Sequence, residues 1–270
     1  MPRKILSKIN PIRKGNISSS TSIFRDMPKN MGFSNVVNGK IIVGEIRRFL
    51  KKEFSKRKKT LAIVGVSGGV DSSLAARLCE TAGLRVKKVF MPYGEISKKP
   101  HGDFLKIDIT KAADILSGRS SNMVNKGNIM ARARMIILYD LARKLNGLVV
   151  GTENLSEYYL GYFTLHGDQA CDINPIAGLW KTQAIELAKY LELPIKEPSA
   201  ELWEGQTDAK ELGFSYQEAD PILYFYCVKK WKPARIIREL DLNGDLVYKV
   251  VERVKNTEYK REAIPRYERI

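Results

Sequence analysis

A short glycine-rich stretch, GVSGGVDSS at residues 65–73, combines three serine hydroxyls with one carboxylate. It follows the apolar run LAIV and precedes a helical pattern, so it is expected to run from a strand into a helix. Glycines let the backbone approach oxygen atoms closely. The first turn of a helix adds free N–H groups and a positive dipole end. The stretch is therefore predicted to bind phosphate groups.

Its spacing excludes two common phosphate-binding loops. A Walker loop carries a lysine before its final hydroxyl residue, and a dinucleotide fingerprint reads G-x-G-x-x-G; neither pattern is present. Ser67, Ser72 and Ser73 can donate hydrogen bonds to phosphate oxygens. Asp71 would repel a phosphate unless a cation lay between them, so its position suggests a ligand of Mg²⁺.

The elements that must position this loop alternate between strand and helix. Strands are predicted at 61–66, 85–91, 104–109 and 148–152. Helices are predicted at 40–56, 72–82, 128–145, 181–191, 215–230, 233–240 and 245–260. This order predicts an α/β fold with a doubly wound parallel sheet and helices on both faces. Ligands of such sheets bind beyond the carboxyl ends of the strands.

The positive charge of the chain is concentrated at its N-terminus. The formal net charge is +16, and residues 1–60 contain 16 Lys/Arg against 3 Asp/Glu. Residues 1–33 are predicted to form a basic, flexible arm, and residues 34–270 a single α/β domain. A basic arm attracts polyanions without specificity, so we do not expect nucleic acid to be the main partner.

Cysteine and hydropathy patterns limit the other function classes. Three scattered cysteines and two histidines argue against a zinc site or a disulfide framework, and for a reducing compartment. No apolar run approaches the roughly 18 residues that a membrane span needs. We therefore expect a cytoplasmic protein without a membrane partner.

The SGGVDS loop resembles that of the N-type ATP pyrophosphatases, or PP-loop proteins, which cleave ATP between the α and β phosphates. Their fold is of the adenine nucleotide α-hydrolase type. Five further blocks are similar to one branch, the ammonia-dependent NAD synthetases. These blocks are GNIMARARM (127–135), GTENLSEYYLGYFTLHGDQACDINPI (151–176), LWKTQ (179–183), KEPSAELWEGQTDAKELGFSY (196–216) and NTEYKR (256–261). Together they cover about residues 40–265.

The resemblance implies a reaction. The family uses ATP to join ammonia to nicotinic acid adenine dinucleotide (deamido-NAD), giving NAD, AMP and pyrophosphate. The nicotinate carboxylate first attacks the α-phosphate, because adenylation supplies the leaving group that a free carboxylate lacks. Ammonia then displaces AMP from the acyl-adenylate. The resemblance further implies Mg²⁺ and a homodimer with the dinucleotide near the subunit boundary.

Carried onto this chain residue by residue, the resemblance assigns three sets of site residues. The ATP-binding set is Gly65, Val66, Ser67, Gly68, Gly69, Val70, Asp71, Ser72, Thr152, Lys181 and Ser199. The Mg²⁺ ligands are Asp71 and Glu157. The deamido-NAD set is Arg132, Leu165, Asp172, Tyr259 and Lys260.

Residues near these sets, and one member of them, are expected to have supporting roles in addition. Asp172 is expected to attract ammonium as well as substrate. Asp168 is expected to hold its loop through backbone N–H groups, and Arg134 to be structural. Residues 199–213 are expected to form a lid that keeps water from the intermediate.

Three departures from the family pattern keep other functions open. Leu165 stands where the family commonly has a lysine, and it cannot bind a phosphate, although His166 is adjacent. Tyr259 replaces a histidine. Only 13 residues separate Met91 from Leu105, where the family usually has a helix. The alternatives are a paralogous ligase that adenylates a different carboxylate and an RNA-binding or tRNA-modifying PP-loop protein.

Overall fold

The computed structural model describes residues 33–34, 37–94, 100, 102–118, 122–195 and 207–267. Nearly all of the predicted basic arm lies outside these residues. Ser199 and most of the predicted lid also lie outside them.

A parallel sheet of four strands forms the centre of the fold. The strands are β1 (Leu61–Gly65), β2 (Arg85–Phe90), β3 (Leu105–Lys106) and β4 (Leu148–Val150), in the order β3-β2-β1-β4. In the register, Ile63 lies opposite Lys87 on one side and Val149 on the other. The order reverses between β1 and β4, so the loops after these two strands diverge and leave a crevice between them. The predicted doubly wound α/β fold is thus confirmed.

Ten α-helices are found among the described residues. They are α1 (Gly39–Lys56), α2 (Val70–Thr81), α3 (Thr110–Ser117), α4 (Met123–Lys144), α5 (Leu155–Leu160), α6 (Lys181–Tyr190), α7 (Asp208–Leu212), α8 (Tyr216–Leu223), α9 (Pro233–Leu240) and α10 (Gly244–Asn256). A π-helical turn, Tyr224–Val228, follows α8, and a 3₁₀ turn, Glu258–Arg261, follows α10. Three of the helices, α3, α5 and α7, are short and are not among the helices predicted from the sequence.

Alternate residues of β1 supply the two core layers that enclose the sheet. Ala62 and Val64 are buried against α1, α2 and α6. Ile63 is buried on the opposite face with residues of α3 and α4, including Ala113 and Met130. This alternation follows from the period of two along a strand. Helices therefore cover both faces, as the sequence predicts.

A third apolar cluster joins the C-terminal helices to the body. It contains Trp180, at the start of α6, and residues of α5, α8, α9 and α10. The Phe225 and Trp231 rings lie 4.4 Å apart between centroids. The cluster fixes the position of α6, which carries one of the predicted site residues. No helix among the described residues is long and apolar enough to cross a membrane.

Candidate active site

The loop after β1 is held in shape by its own serine hydroxyls. The Ser67 backbone N–H donates to Ser72 Oγ at 3.2 Å, and the Gly69 N–H donates to Ser67 Oγ at 3.1 Å. Gly68 has a φ of +90°, a conformation that side chains with a Cβ rarely adopt. No side chain caps the start of α2, so N–H groups of its first turn remain for an anion.

The loop after β4 ends in a capping box at the start of α5, and Asn154 of this box reaches across to the loop after β1. Asn154 Oδ1 accepts from the Glu157 N–H at 3.0 Å, and Glu157 Oε2 accepts from the Asn154 N–H at 3.2 Å. Asn154 Nδ2 also donates to Asp71 Oδ1 at 3.2 Å. Asn154 thus joins the two loops that flank the crevice. We had not assigned it from the sequence, although its N-x-x-E spacing is a capping-box signal.

Asp71 and Glu157 converge on one lysine. Lys181 Nζ contacts Asp71 Oδ2 and lies 3.0 Å from Glu157 Oε1. The lysine side chain is only 3% exposed, so this charge is shielded from water. Burial by itself lowers the pKa of Lys181, but the facing carboxylates outweigh it and hold the pKa above its usual value. Lys181 is therefore a buried, charged ammonium group between the two predicted metal ligands.

A buried carboxylate beneath these groups fixes the starts of two helices. Asp220 Oδ2 accepts from the Thr182 N–H at 2.9 Å and from its hydroxyl at 2.7 Å. Asp220 Oδ1 accepts from Ser156 Oγ at 2.5 Å, and Ser156 Oγ accepts from the Lys181 N–H at 2.8 Å. This chain of hydrogen bonds joins α5, α6 and α8. It therefore fixes the start of α6, where Lys181 is the first residue. The sequence carried no signal for it.

A second buried carboxylate lies where α7 begins. Asp208 is 2% exposed, and its Oδ2 accepts from the Tyr216 hydroxyl at 3.0 Å. Its Oδ1 has no hydrogen-bond partner among the described residues. Lys181 Nζ lies 5.2 Å from the centroid of the Tyr216 ring. Asp208 is thus part of the same charged cluster, and we had not assigned it from the sequence.

These groups surround a cavity of about 560 Å³ at the carboxyl edge of the sheet. The loop after β1 forms one wall, and Thr152, Glu157 and Lys181 line another. Asp208 also contributes to the lining. The structure therefore brings the described members of the predicted ATP-binding and metal-binding sets together, at the point where the strand order reverses.

Of the predicted substrate-binding residues, fewer line this cavity. Lys260 lines the cavity, and its Nζ donates to the backbone oxygens of Gly161 at 2.8 Å and Phe163 at 2.7 Å. Tyr259 is 61% exposed. Asp172 Oδ2 accepts from the Val149 N–H at 2.8 Å, which attaches it to β4. Leu165 is half-buried and, like Asp172, is not among the residues that line the cavity.

Two of the arginines of α4, Arg132 and Arg134, lie on different sides of the helix. Arg132, the predicted substrate residue, is exposed and does not line the cavity of this chain. Arg134 lines the cavity, and its Nε donates to the Met91 backbone oxygen at 3.0 Å. Asp168 also lines it and, as expected from the sequence, accepts from a backbone N–H, that of Thr164, at 2.7 Å.

Gly161 should not tolerate a side chain. It has a φ of +59° at the end of α5, and an added Cβ would lie 2.3 Å from the Cβ of Thr257. We expect Gly161→Ala to lower the free energy of unfolding by about 2 kcal/mol or more, from backbone strain and overpacking. Denaturant unfolding measures this loss. Gly178→Ala is the matched control, since a Cβ there meets nothing within 4 Å. Equal unfolding midpoints for the two variants would contradict the prediction.

Glu153 should make stability depend on pH. Its Oε1 is buried without a hydrogen-bond partner among the described residues, and burial, with the nearby Glu157, raises the pKa of Glu153 from 4.5 to about 9. Between these values the folded chain holds a proton that the unfolded chain releases, so the free energy of unfolding falls as pH rises. Glu153→Gln has no such proton. Urea unfolding at several pH values should show a shallower decline for the variant, and parallel profiles would count against this prediction.

Comparison with known proteins identifies the family. The family model described as NAD synthase matches residues 42–264. An NH₃-dependent NAD⁺ synthetase of Fusobacterium nucleatum is 39% identical, over 83% of this chain and 94% of the relative. One of Methanocaldococcus jannaschii is 38% identical, over 83% of this chain and 95% of the relative.

Solved structures agree with this match. An NMN synthetase from Francisella tularensis aligns with a TM-score of 0.72 and 29% identity, over 86% of this chain and 99% of its own. An NH₃-dependent NAD synthetase from Campylobacter jejuni aligns with a TM-score of 0.69 and 28% identity, over 86% and 100%. The loop, the charged cluster at the reversal of strand order and these matches lead to one conclusion: the chain belongs to the NAD synthase family.

Proposed function

We propose that this chain uses ATP to amidate deamido-NAD with ammonia, forming NAD, AMP and pyrophosphate through an acyl-adenylate. The convergence of the SGGVDS loop with Asp71, Glu157 and Lys181 in one cavity carries this proposal. The curated relatives described as NH₃-dependent NAD⁺ synthetases favour it over a tRNA-modifying function. ATP and ammonia are then co-substrates.

The residues of the cavity suit the first chemical step. The nicotinate carboxylate forms a bond to the α-phosphorus, the bond to the bridging oxygen breaks, and pyrophosphate leaves. The start of α2, which no side chain caps, borders the cavity and offers N–H groups to this anion. Lys181 adds a positive charge. The protein therefore contributes mainly by positioning the reactants and stabilising negative charge.

We propose that Asp71 and Glu157 bind the Mg²⁺ that accompanies ATP. Both carboxylates face a single cation, the Lys181 ammonium, so they can face a metal ion in the same region. Mg²⁺ is commonly held by one or two carboxylates together with substrate phosphates. Among the described residues there is no group of three or more His, Cys, Asp or Glu that could enclose a metal. The ion would neutralise phosphate charge.

We further propose that the chain forms a homodimer through α3 and α4. Ile115 and Leu116 of α3 are 80% and 60% exposed, and Val124 and Ile136 of α4 are 56% and 58% exposed. Exposed apolar side chains gathered on neighbouring helices are typical of a subunit interface. Arg132 is exposed on α4 as well, so a second copy seated there would place it near the subunit boundary. For location, we propose the cytoplasm, in keeping with three free thiols.

A related substrate is the second candidate, favoured by two observations. The NMN synthetase from Francisella tularensis aligns with a TM-score of 0.72. Leu165 also lacks the charge expected for a contact with the dinucleotide. Nicotinic acid mononucleotide would keep the reacting carboxylate and lose the adenylate half of the substrate.

One assay tests both candidates. Purified protein is given ATP, Mg²⁺ and ammonium, with either deamido-NAD or nicotinic acid mononucleotide. We expect NAD, AMP and pyrophosphate in equal amounts from deamido-NAD, with a higher kcat/KM than for the mononucleotide. A preference for the mononucleotide would replace the first candidate by the second. Formation of ADP instead of AMP would exclude both.

A further inference from the structure

Lys181 occupies the space between the two proposed metal ligands. Its ammonium group contacts both Asp71 and Glu157, whose side chains are each 15% exposed. A divalent cation on the same two carboxylates would lie against this ammonium group, and like charges at such distances repel strongly where water is scarce. The lysine and the metal therefore compete for the same oxygens.

Asp208, in the same cavity, has a carboxylate oxygen that no donor among the described residues reaches. Asp208 is 2% exposed, and its Oδ1 has no hydrogen-bond partner among the described residues. The Tyr216 hydroxyl donates to Asp208 Oδ2, and the Tyr162 hydroxyl donates to Glu211 Oε2 at 2.7 Å. The Tyr162 hydroxyl also interacts with Asp208, which opposes the rise that burial causes in the pKa of this carboxyl group. A buried carboxylate oxygen without a donor is costly. Asp208 Oδ1 can therefore accept a hydrogen bond from a donor that reaches it when the side chains of the site rearrange.

Lys181 is the donor that fits. Asp208 is one of the three carboxylates whose charge acts on Lys181, after Asp71 and Glu157. The Lys181 backbone is anchored through Ser156, but its ammonium stands at the end of a flexible four-carbon chain. The ammonium can therefore move by a few ångströms while α6 stays in place.

We propose that Lys181 is an exchangeable counter-cation: it neutralises Asp71 and Glu157 before nucleotide binds, and it transfers to Asp208 Oδ1 when the divalent cation enters with ATP. This inference rests on the proposed metal role of Asp71 and Glu157. The exchange would make the divalent cation bind together with ATP and not before it. Without nucleotide the lysine keeps the metal out, whereas the ATP phosphates supply the additional negative charge that favours the metal.

The test uses Mn²⁺ as the probe, with bound ion measured by electron paramagnetic resonance on the full chain. In the wild type, Mn²⁺ should bind weakly alone and tightly with α,β-methylene-ATP, which cannot be cleaved at the reacting bond. Lys181→Met should raise the affinity for Mn²⁺ alone by roughly tenfold or more, since a competing buried charge is gone. Lys189→Met, an exposed lysine of the same helix, should match the wild type. An unchanged affinity in Lys181→Met would overturn the proposal.

The wild type provides a test that does not depend on the variant folding. If Mn²⁺ alone bound the wild type as tightly as Mn²⁺ with the analogue, the lysine would not exclude the metal and the proposal would fail. If Lys181→Met is unstable, Mn²⁺ alone should raise its melting temperature by more than that of the wild type. An equal rise would also count against the proposal.

A double-mutant cycle tests the part assigned to Asp208. Introduced into the wild type, Asp208→Asn should weaken the binding of Mn²⁺ measured in the presence of the analogue, because the displaced ammonium loses its charged acceptor. The same change should have a much smaller effect in Lys181→Met, since no ammonium remains to be displaced. Equal effects in both backgrounds would remove Asp208 from the exchange.

Asp71→Asn separates this proposal from the function on which it rests. If Mn²⁺ with the analogue binds the wild type but not Asp71→Asn, the metal role stands whatever the lysine variants show. If Asp71→Asn binds it equally well, the metal role fails, and the exchange fails with it. The assay for NAD formation tests the proposed function separately from the metal role of Asp71 and Glu157 and from the Lys181 exchange.

Discussion

Replacing Asp71 with asparagine is expected to lower kcat by on the order of 10²–10³-fold, the cost typical of losing one group that stabilises charge in a transition state. Asp71 stands at the start of α2, receives a hydrogen bond from Asn154, and contacts Lys181. An asparagine keeps the size of the side chain but loses the charge that would hold a metal ion beside the phosphates. The measurement is pyrophosphate release at saturating ATP and Mg²⁺.

The fold should survive this change. Asp71→Asn leaves Lys181 paired with Glu157, so no buried ammonium is stranded. We expect a melting temperature within a few degrees of the wild type. Asp140→Asn is the matched control, because Asp140 is exposed and its partner Lys144 lies on the same helix. Wild-type turnover in Asp71→Asn would remove Asp71 from the site, whereas an unfolded protein would contradict the structural argument.

Asp220→Ala is expected to produce the largest loss of stability, about 3–5 kcal/mol. The carboxylate is fully buried and accepts three hydrogen bonds, from Ser156 and from the hydroxyl and N–H of Thr182. Alanine would leave these buried donors unpaired and open a cavity between α5, α6 and α8. Denaturant unfolding monitored by circular dichroism measures the loss.

Asparagine at the same position separates hydrogen bonding from charge. Asp220→Asn retains one oxygen acceptor, so it should lose less stability than the alanine variant. Burial raises the pKa of Asp220 from 3.8 to about 6. Between these values the folded chain holds a proton that the unfolded chain releases, so the free energy of unfolding of the wild type should fall as the pH rises from 4 to 6. The asparagine variant should show no such fall. Equal unfolding midpoints for Asp220→Ala and the wild type would show that the network does not hold the helices together.

The position of Lys181 connects this network to activity. The Lys181 N–H donates to Ser156 Oγ, which in turn donates to Asp220. A variant that loosens Asp220 should therefore shift the start of α6 and misplace the Lys181 ammonium relative to Asp71, Glu157 and Asp208. We expect Asp220→Asn to be folded at neutral pH and still less active than the wild type, although Asp220 does not line the cavity.

Local sequence signals predicted the elements that carry the site. The glycine-serine loop, the strand before it and the helix after it are where their residue types place them, because each signal acts within a few residues. Thr152, Glu157 and Lys181 were assigned through resemblance and line the same cavity. The metal and substrate roles of these residues stay predictions.

The sequence by itself thus determined the parallel α/β sheet and the glycine-serine loop between β1 and α2, since strand periodicity and helix-start chemistry are local properties. Only the tertiary structure decided that Asn154 bridges two loops, that Arg134 and not Arg132 faces the cavity of this chain, and that Asp208 and Asp220 support Lys181. These interactions join residues 27 to 83 positions apart. No local pattern specifies them, because they arise when separate elements meet at one edge of the sheet.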